Sequence, residues 1–412
     1  MSQISSLNRP SLYLTLKMIP IKIPLSLVIL FVSFACQNNK KSDVKDLIEI
    51  DFEILKQKII VPVEINNKTY KFCLDTGSMT SISEKLKNKL SPEVVDQWNI
   101  FDGNNKNQMI ESYLINDLNL GNIHFDNVEA ISYKESDVFK CFAFDGYIGS
   151  DLLLDFIIQI DLNAKKIRMT KKINSILLDA SSRGEEMVII NGHTPYIWIR
   201  FGEKASSFKD FVMVDTGMEG IYDLSMDNYN RLLKNKRINL LSKSEGSSTI
   251  GAFGLSDVSE QLLFHYPSIS IGDFTLKNYI NKTTQSLNSR IGAGLLKYGV
   301  MTFDFINEKF YFDSYEEEIK LDQHKPLFQA TFKDKKIVVG IVWDEALKNK
   351  IKFGDQILEV NDKDITKIDF CELVLSSSIL DKGTNLKIKF KRDKDSVFTL
   401  NLKKEKLLFN DL

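Results

Sequence analysis

Asp-Thr-Gly occurs twice in this chain, 140 positions apart, and each time it closes an apolar, strand-like run. Asp75-Thr76-Gly77 follows Tyr70-Lys71-Phe72-Cys73-Leu74, and Asp215-Thr216-Gly217 follows Phe211-Val212-Met213-Val214. A single such triplet reads as readily as a strand running into a turn, because Asp and Gly are both turn formers. Two in equivalent settings constrain the fold far more, because the sequence around them repeats as well.

Upstream of each Asp lies a hairpin pattern. Ile59-Ile60-Val61-Pro62-Val63-Glu64-Ile65 leads into Asn66-Asn67, and Met187-Val188-Ile189-Ile190 leads into Asn191-Gly192, a favoured tight-turn pair. Downstream, Ser83 and Ser225 are placed to cap short helices over 84–90 and 226–233. Leu118-Asn119-Leu120-Gly121 matches Ile269-Ser270-Ile271-Gly272. Ile148-Gly149-Ser150-Asp151-Leu152-Leu153 aligns without a gap to Ile291-Gly292-Ala293-Gly294-Leu295-Leu296, and the alignment runs on to Ile160-Asp161 over Phe303-Asp304. A long period present in two copies predicts two structurally equivalent lobes rather than a solenoid.

These motifs resemble those of the two-lobed aspartic proteases of the pepsin and retropepsin type, over roughly residues 50 to 314. The resemblance implies a mainly β fold with two pseudo-symmetric lobes, and an active site completed within a monomer. It implies catalysis by Asp75 and Asp215. Thr76, Gly77, Ser78, Thr216 and Gly217 support the pair, with the two threonines cross-linking the loops beneath it. Two adjacent carboxylates cannot both ionise cheaply, so they hold one proton between them. That supplies a general base and a general acid with no metal, cofactor or covalent intermediate. Ile148, Gly149, Ile291 and Gly292 are the apolar-Gly strands of the family, where Gly lets the strand approach the catalytic loop. In the second copy the residue before that pair is Arg290, where the family pattern is apolar. Ser78 is placed to hydrogen-bond Asp75, whereas Met218, its counterpart, has no hydroxyl. Segments 101–113 and 245–258 match the flaps that cover substrate, with Gly251 and Gly254 as hinges; an ordinary surface loop is the alternative.

Other chemistry is sparse. The four histidines, at 124, 193, 265 and 324, show no metal-ligand spacing. A net charge of −1 gives no electrostatic footprint for nucleic acid. The N-terminus carries an apolar run over 23–35 after Lys17 and Lys22, which is too short to span a membrane and suits a signal peptide. Cys36 then resembles the lipidated cysteine of a bacterial lipoprotein; ordinary signal cleavage just before it is the other reading. Either way the chain is expected to be exported to the cell envelope. Of the remaining cysteines, Cys73 and Cys141 lie in one lobe, where a disulfide or buried free thiols are both open, with free thiols the commoner case.

From about residue 327 the pattern changes. Gly354-Asp355, Ile357 and Val360-Asn361 resemble the signature of a PDZ domain, which implies a small α+β module. A helix is expected over 369–380 and strands over 385–391 and 396–403. The loop that would take a peptide carboxylate is expected near Phe332 to Lys336 but lacks the usual Gly-apolar-Gly. Peptide binding and a purely structural role both stand. The organisation expected is a signal peptide over 1–35, a polar tether over 36–48, lobes over 49–175 and 186–314, and the PDZ-like domain over 322–408. The function expected is endopeptidase action on peptides or unfolded proteins by an envelope enzyme, anchored to a membrane by lipid. The competing reading is a lipoprotein that captures peptides without cutting them.

Overall fold

Each copy contains a tight two-residue turn. Asn66 and Asn67 both take positive φ, as do Asn191 and Gly192, the geometry of a two-residue turn that matches strand twist. In the computed structural model, which describes residues 47–179, 182–202, 208–234, 237–376, 380, 383–392 and 396–406, each turn closes a hairpin whose second or third strand ends on Asp. The expected signal peptide, Cys36 and most of the expected tether lie outside the described residues.

The first copy comprises β1 (Leu47–Asp51), β2 (Lys58–Ile65), β3 (Lys68–Asp75), β4 (Ser81–Ile82), α1 (Glu84–Leu90), β5 (Glu93–Phe101), β6 (Asn107–Ile115), β7 (Val128–Ser132), α2 (Asp137–Lys140), β8 (Gly146–Gly149), β9 (Ile157–Asp161) and β10 (Lys166–Thr170). The second comprises β11 (Glu185–Ile190), β12 (Thr194–Phe201), β13 (Phe208–Asp215), β14 (Tyr222–Ser225), α3 (Met226–Lys234), β15 (Asn239–Gly246), β16 (Ile250–Gly251), β17 (Gly254–Leu255), β18 (Ser259–Ile271), β19 (Phe274–Thr284), β20 (Arg290–Gly292), β21 (Gly299–Asp304) and β22 (Lys309–Ser314).

The same pairings recur in both. β8 runs parallel to β3 with Gly149 opposite Asp75, and β20 runs parallel to β13 with Gly292 opposite Asp215. β4 pairs antiparallel with β8, as β14 does with β20. Gly121 and Gly272 sit at matching turns with φ of 59° and 58°, a left-handed conformation that glycine adopts freely. The copies join where β9 pairs antiparallel with β21, Ile158 opposite Phe303. This makes the chain mainly β, with a core shared by both copies and built on Phe72, Phe201, Tyr222, Phe303 and Phe310. Ser83 and Ser225 cap α1 and α3 through their hydroxyls, at 3.2 and 3.3 Å from the amides of Leu86 and Asn228. Leu47 and Ile48, placed by sequence in the tether, instead open β1.

The C-terminal sheet consists of β23 (Phe328–Lys333), β24 (Lys336–Val342), β25 (Gln356–Val360), β26 (Asn385–Lys391) and β27 (Val397–Lys403), with α4 (Phe370–Leu375) packed beside it. Asp369 caps α4. Phe332 to Lys336, expected to form a carboxylate loop, is the two-residue turn of the β23–β24 hairpin, with Asp334 and Lys335 at φ of 49° and 58°. Arg392 clamps the buried Asp355, at 3.0 and 2.8 Å, and holds the turn of the Gly-Asp motif.

This sheet is not a free appendage. Trp343 is buried with Leu263, Ile280 and Ile341 against the second copy. On the other side, Phe332, Phe370 and Val374 pack onto Cys73, Phe142, Phe144 and Tyr147 of the first copy. A disulfide links Cys141 to Cys371 across 230 residues of sequence, and Cys73 is the buried free thiol. The sequence favoured free thiols, with a Cys73–Cys141 bridge as the alternative. The bridge that forms joins residues far apart in the chain, which spacing alone does not reveal.

Candidate active site

Each Asp ends a strand that its own copy buries, and the two loops interlock beneath them. The Thr76 amide donates to Thr216 Oγ1 and the Thr216 amide donates to Thr76 Oγ1, both at 3.0 Å. Thr76 Oγ1 donates to the carbonyl of Val214 at 2.6 Å, and Thr216 Oγ1 donates to that of Leu74 at 3.0 Å. Four hydrogen bonds thus satisfy buried groups of both strands and relate the loops by an approximate two-fold axis. Leaving such groups buried without partners costs about 1–3 kcal/mol each.

The carboxylates face one another. A Cβ on Gly77 would lie 2.6 Å from Asp215 Cγ, and one on Gly217 would lie 2.1 Å from Asp75 Oδ2. Only glycine admits the opposite carboxylate here. The Gly77 amide donates to Asp75 Oδ1 at 3.0 Å. Gly149 and Gly292 leave no room for a side chain either: a Cβ would meet the main chain of Met79 and Thr80 at 2.4 Å, or the Met218 methyl at 2.6 Å. Ile148 and Ile291, their neighbours, are fully buried.

The surroundings of the two acids differ. Burial and the adjacent Asp215 carboxylate push the Asp75 carboxyl up to about 7, partly offset by Lys58 and the Gly77 amide. Lys58 is buried, donates to the Gly217 carbonyl and lies 4.0 Å from Glu219. Asp215 is 7% exposed and accepts from Arg290 Nη1 at 3.2 Å, while Arg290 Nη2 reaches Asp223 at 3.1 Å. Arg290, Asp223 and Lys58 were not singled out as site residues by sequence. The one available signal was a cation at the position of β20 where β8 has Tyr147, since a charge on a buried strand requires a partner. Ser78 Oγ donates to the main-chain carbonyls of Asp75 and Met79, at 3.3 and 3.1 Å, rather than to the Asp75 carboxylate.

Both expected flaps are hairpin tips, and they bind each other. Asp102, beyond β5, accepts from the Phe253 amide at 3.0 Å, and Asn104 Nδ2 donates to the carbonyls of Thr249 and Gly254 at 3.2 and 3.1 Å. Gly254 has φ of +111° with open space around it. Gly251 admits a close approach: a Cβ there would lie 2.2 Å from Asp102 Oδ2. A Cβ on Gly103 would lie 2.8 Å from Arg290 Nη1, so the first tip rests on the guanidinium over the acid pair.

No curated protein is similar enough to the chain to match it. The family model for aspartyl proteases matches residues 61–152, the stretch that carries Asp75-Thr76-Gly77 and Ile148-Gly149, and the parallel pairing of the Asp strand with the apolar-Gly strand in that stretch recurs at Asp215.

Proposed function

We propose that the chain is an aspartic endopeptidase acting through Asp75 and Asp215. The observation that carries this reading is the reciprocal threonine cross-link, which presents two carboxylates against each other's glycine. A water between them loses a proton to the charged member as its oxygen bonds the scissile carbonyl carbon. The neutral member gives its proton to the carbonyl oxygen, leaving a gem-diol. The newly protonated acid then protonates the amide nitrogen as the C–N bond breaks. The other carboxylate takes one gem-diol proton, and the pair again holds one proton. Substrate enters when the flap tips part, exchanging their mutual hydrogen bonds for bonds to a peptide backbone. A peptide analogue with a central hydroxyl in place of the scissile carbonyl is therefore expected to bind at least about 10²-fold tighter than the matching substrate. Competition measured against cleavage of an unfolded protein checks this; equal affinity for analogue and substrate counts against the dyad.

We read the C-terminal module as a PDZ-like clasp rather than a peptide receptor. The face between β23 and α4 packs against Phe142 and Phe144 of the first copy, which supports the clasp. The Cys141–Cys371 bridge supports an oxidising, exported location. Signal removal at residue 35 and lipid attachment at Cys36 then tether a monomeric enzyme to the envelope, because two or more acyl chains anchor stably. Cys36→Ser is expected to move the protein from the membrane fraction to the soluble fraction without loss of specific activity. Fractionation of the wild type entirely into the soluble fraction excludes the anchor.

A further inference from the structure

The two carboxylates occupy equivalent places in the repeat, but their neighbours are not equivalent. Arg290 lies on β20, in register with Met213, and its guanidinium bridges Asp215 at 3.2 Å and Asp223 at 3.1 Å. Asp223 is itself fixed by Asn281 Nδ2 at 2.8 Å. All three members of the Asp215–Arg290–Asp223 set are largely buried, and the flap tip at Gly103 lies on the guanidinium. An ion pair so shielded from water is weakly screened and geometrically fixed. The matching position on β8 is Tyr147, in register with Cys73, which offers no charge. The cation that acts on Asp75 is Lys58 on β2, but its ammonium is committed to the Gly217 carbonyl and faces Glu219.

We infer that Arg290 is a positioning residue that breaks the symmetry of the pair, holding Asp215 as the charged member and general base and leaving Asp75 to carry the proton as general acid. This deepens the hydrolytic reading and rests on it. In the step described above, Asp215 then accepts the water proton and Asp75 donates to the carbonyl oxygen; after C–N cleavage the proton is again on Asp75. Met218 has no hydroxyl to offer Asp215, and the side-chain donor to that carboxylate is the guanidinium.

The other titratable groups facing the pair do not oppose this assignment. Tyr133, Tyr147, Tyr196 and Cys73 are pushed up by burial and stay neutral. Lys282 on β19, which faces Arg290 and Asp223, is lowered by burial, and the cation paired directly with Asp215 is the guanidinium.

The test is a carboxyl-carbon NMR titration of the full chain labelled at Asp, from about pH 4 to about pH 8. Asp75→Asn and Asp215→Asn spectra assign the two resonances. The wild type is expected to show the two carboxyls ionising in order, with Asp75 the later of the two and losing its proton near 7. In Arg290→Leu that order is expected to be lost, because the charge that favours ionised Asp215 is gone. The acid flank of the kcat/KM profile should move as well, a roughly tenfold loss there. Arg290→Lys, which keeps the charge but not the bridge, should recover part of the wild-type order. An Asp75 that ionises before Asp215 in the wild type overturns the inference, as does an unchanged order of ionisation in folded Arg290→Leu. If that variant does not fold, the order of ionisation in the wild type decides alone. The titration needs no turnover, so a wild type that titrates as expected but cuts nothing defeats the hydrolytic reading instead.

Discussion

Asp75→Asn and Asp215→Asn are each expected to lower peptide hydrolysis by about 10⁴-fold, because each removes one half of the acid–base pair. Their effects on stability should differ in sign. The folded-state value of Asp75 is raised from its ordinary 3.8 to about 7. A raised value means that the stabilising contribution is complete below 3.8 and is lost progressively as pH rises through about 7. Asn at position 75 resembles the protonated acid, so this variant should lose no stability at pH 5 and gain some at pH 8, read from urea midpoints. Asn at 215 strips Arg290 of one of two buried carboxylates, and a loss of about 3 kcal/mol is expected. Wild-type activity should in turn fall as pH rises through about 7, where Asp75 gives up the proton that the mechanism needs. An activity that keeps rising well above that value contradicts this use of Asp75.

The second large effect is on the clasp. Breaking the Cys141–Cys371 bridge, by Cys371→Ser or by reductant, is expected to cost about 4 kcal/mol, because the bridge closes a loop of 230 residues in the unfolded chain. The cluster it staples includes Cys73, two residues before Asp75, and Tyr147, two before Gly149. Loosening it should therefore reduce activity as well as stability, with the C-terminal sheet releasing first in hydrogen exchange. Urea unfolding with and without reductant gives the magnitude. An unchanged midpoint would mean that the apolar contacts of Phe332, Phe370 and Val374 alone hold the module.

What could be read from sequence was what local chemistry dictates. The Asn-Asn and Asn-Gly turns, the serine caps and the matched glycines at 121 and 272 each follow from a residue's own backbone preference. The triplets and the apolar-Gly strands were legible because they recur in order. Arg290 was noticed only as a departure from an apolar pattern, since its partners Asp215 and Asp223 lie 75 and 67 residues away. Lys58 gave no signal, because a lysine opening a strand is ordinary until its ammonium is seen beneath Gly217. The Cys141–Cys371 bridge and the packing of α4 on the first copy are products of how three sheets meet. Nothing in the sequence around Gly251 indicates the Asp102 carboxylate of the other copy that packs against it.

The most direct measurement is the appearance of new peptide termini when the full chain and its Asp215→Asn variant are incubated separately with an unfolded protein in ¹⁸O-labelled water. The shared-proton dyad predicts that the wild type generates internal cuts, each new carboxyl terminus carrying one labelled oxygen from the attacking water. It predicts that the variant generates essentially none. Equal cleavage by the variant, or intact substrate in both reactions across the range from acid to neutral pH, contradicts it.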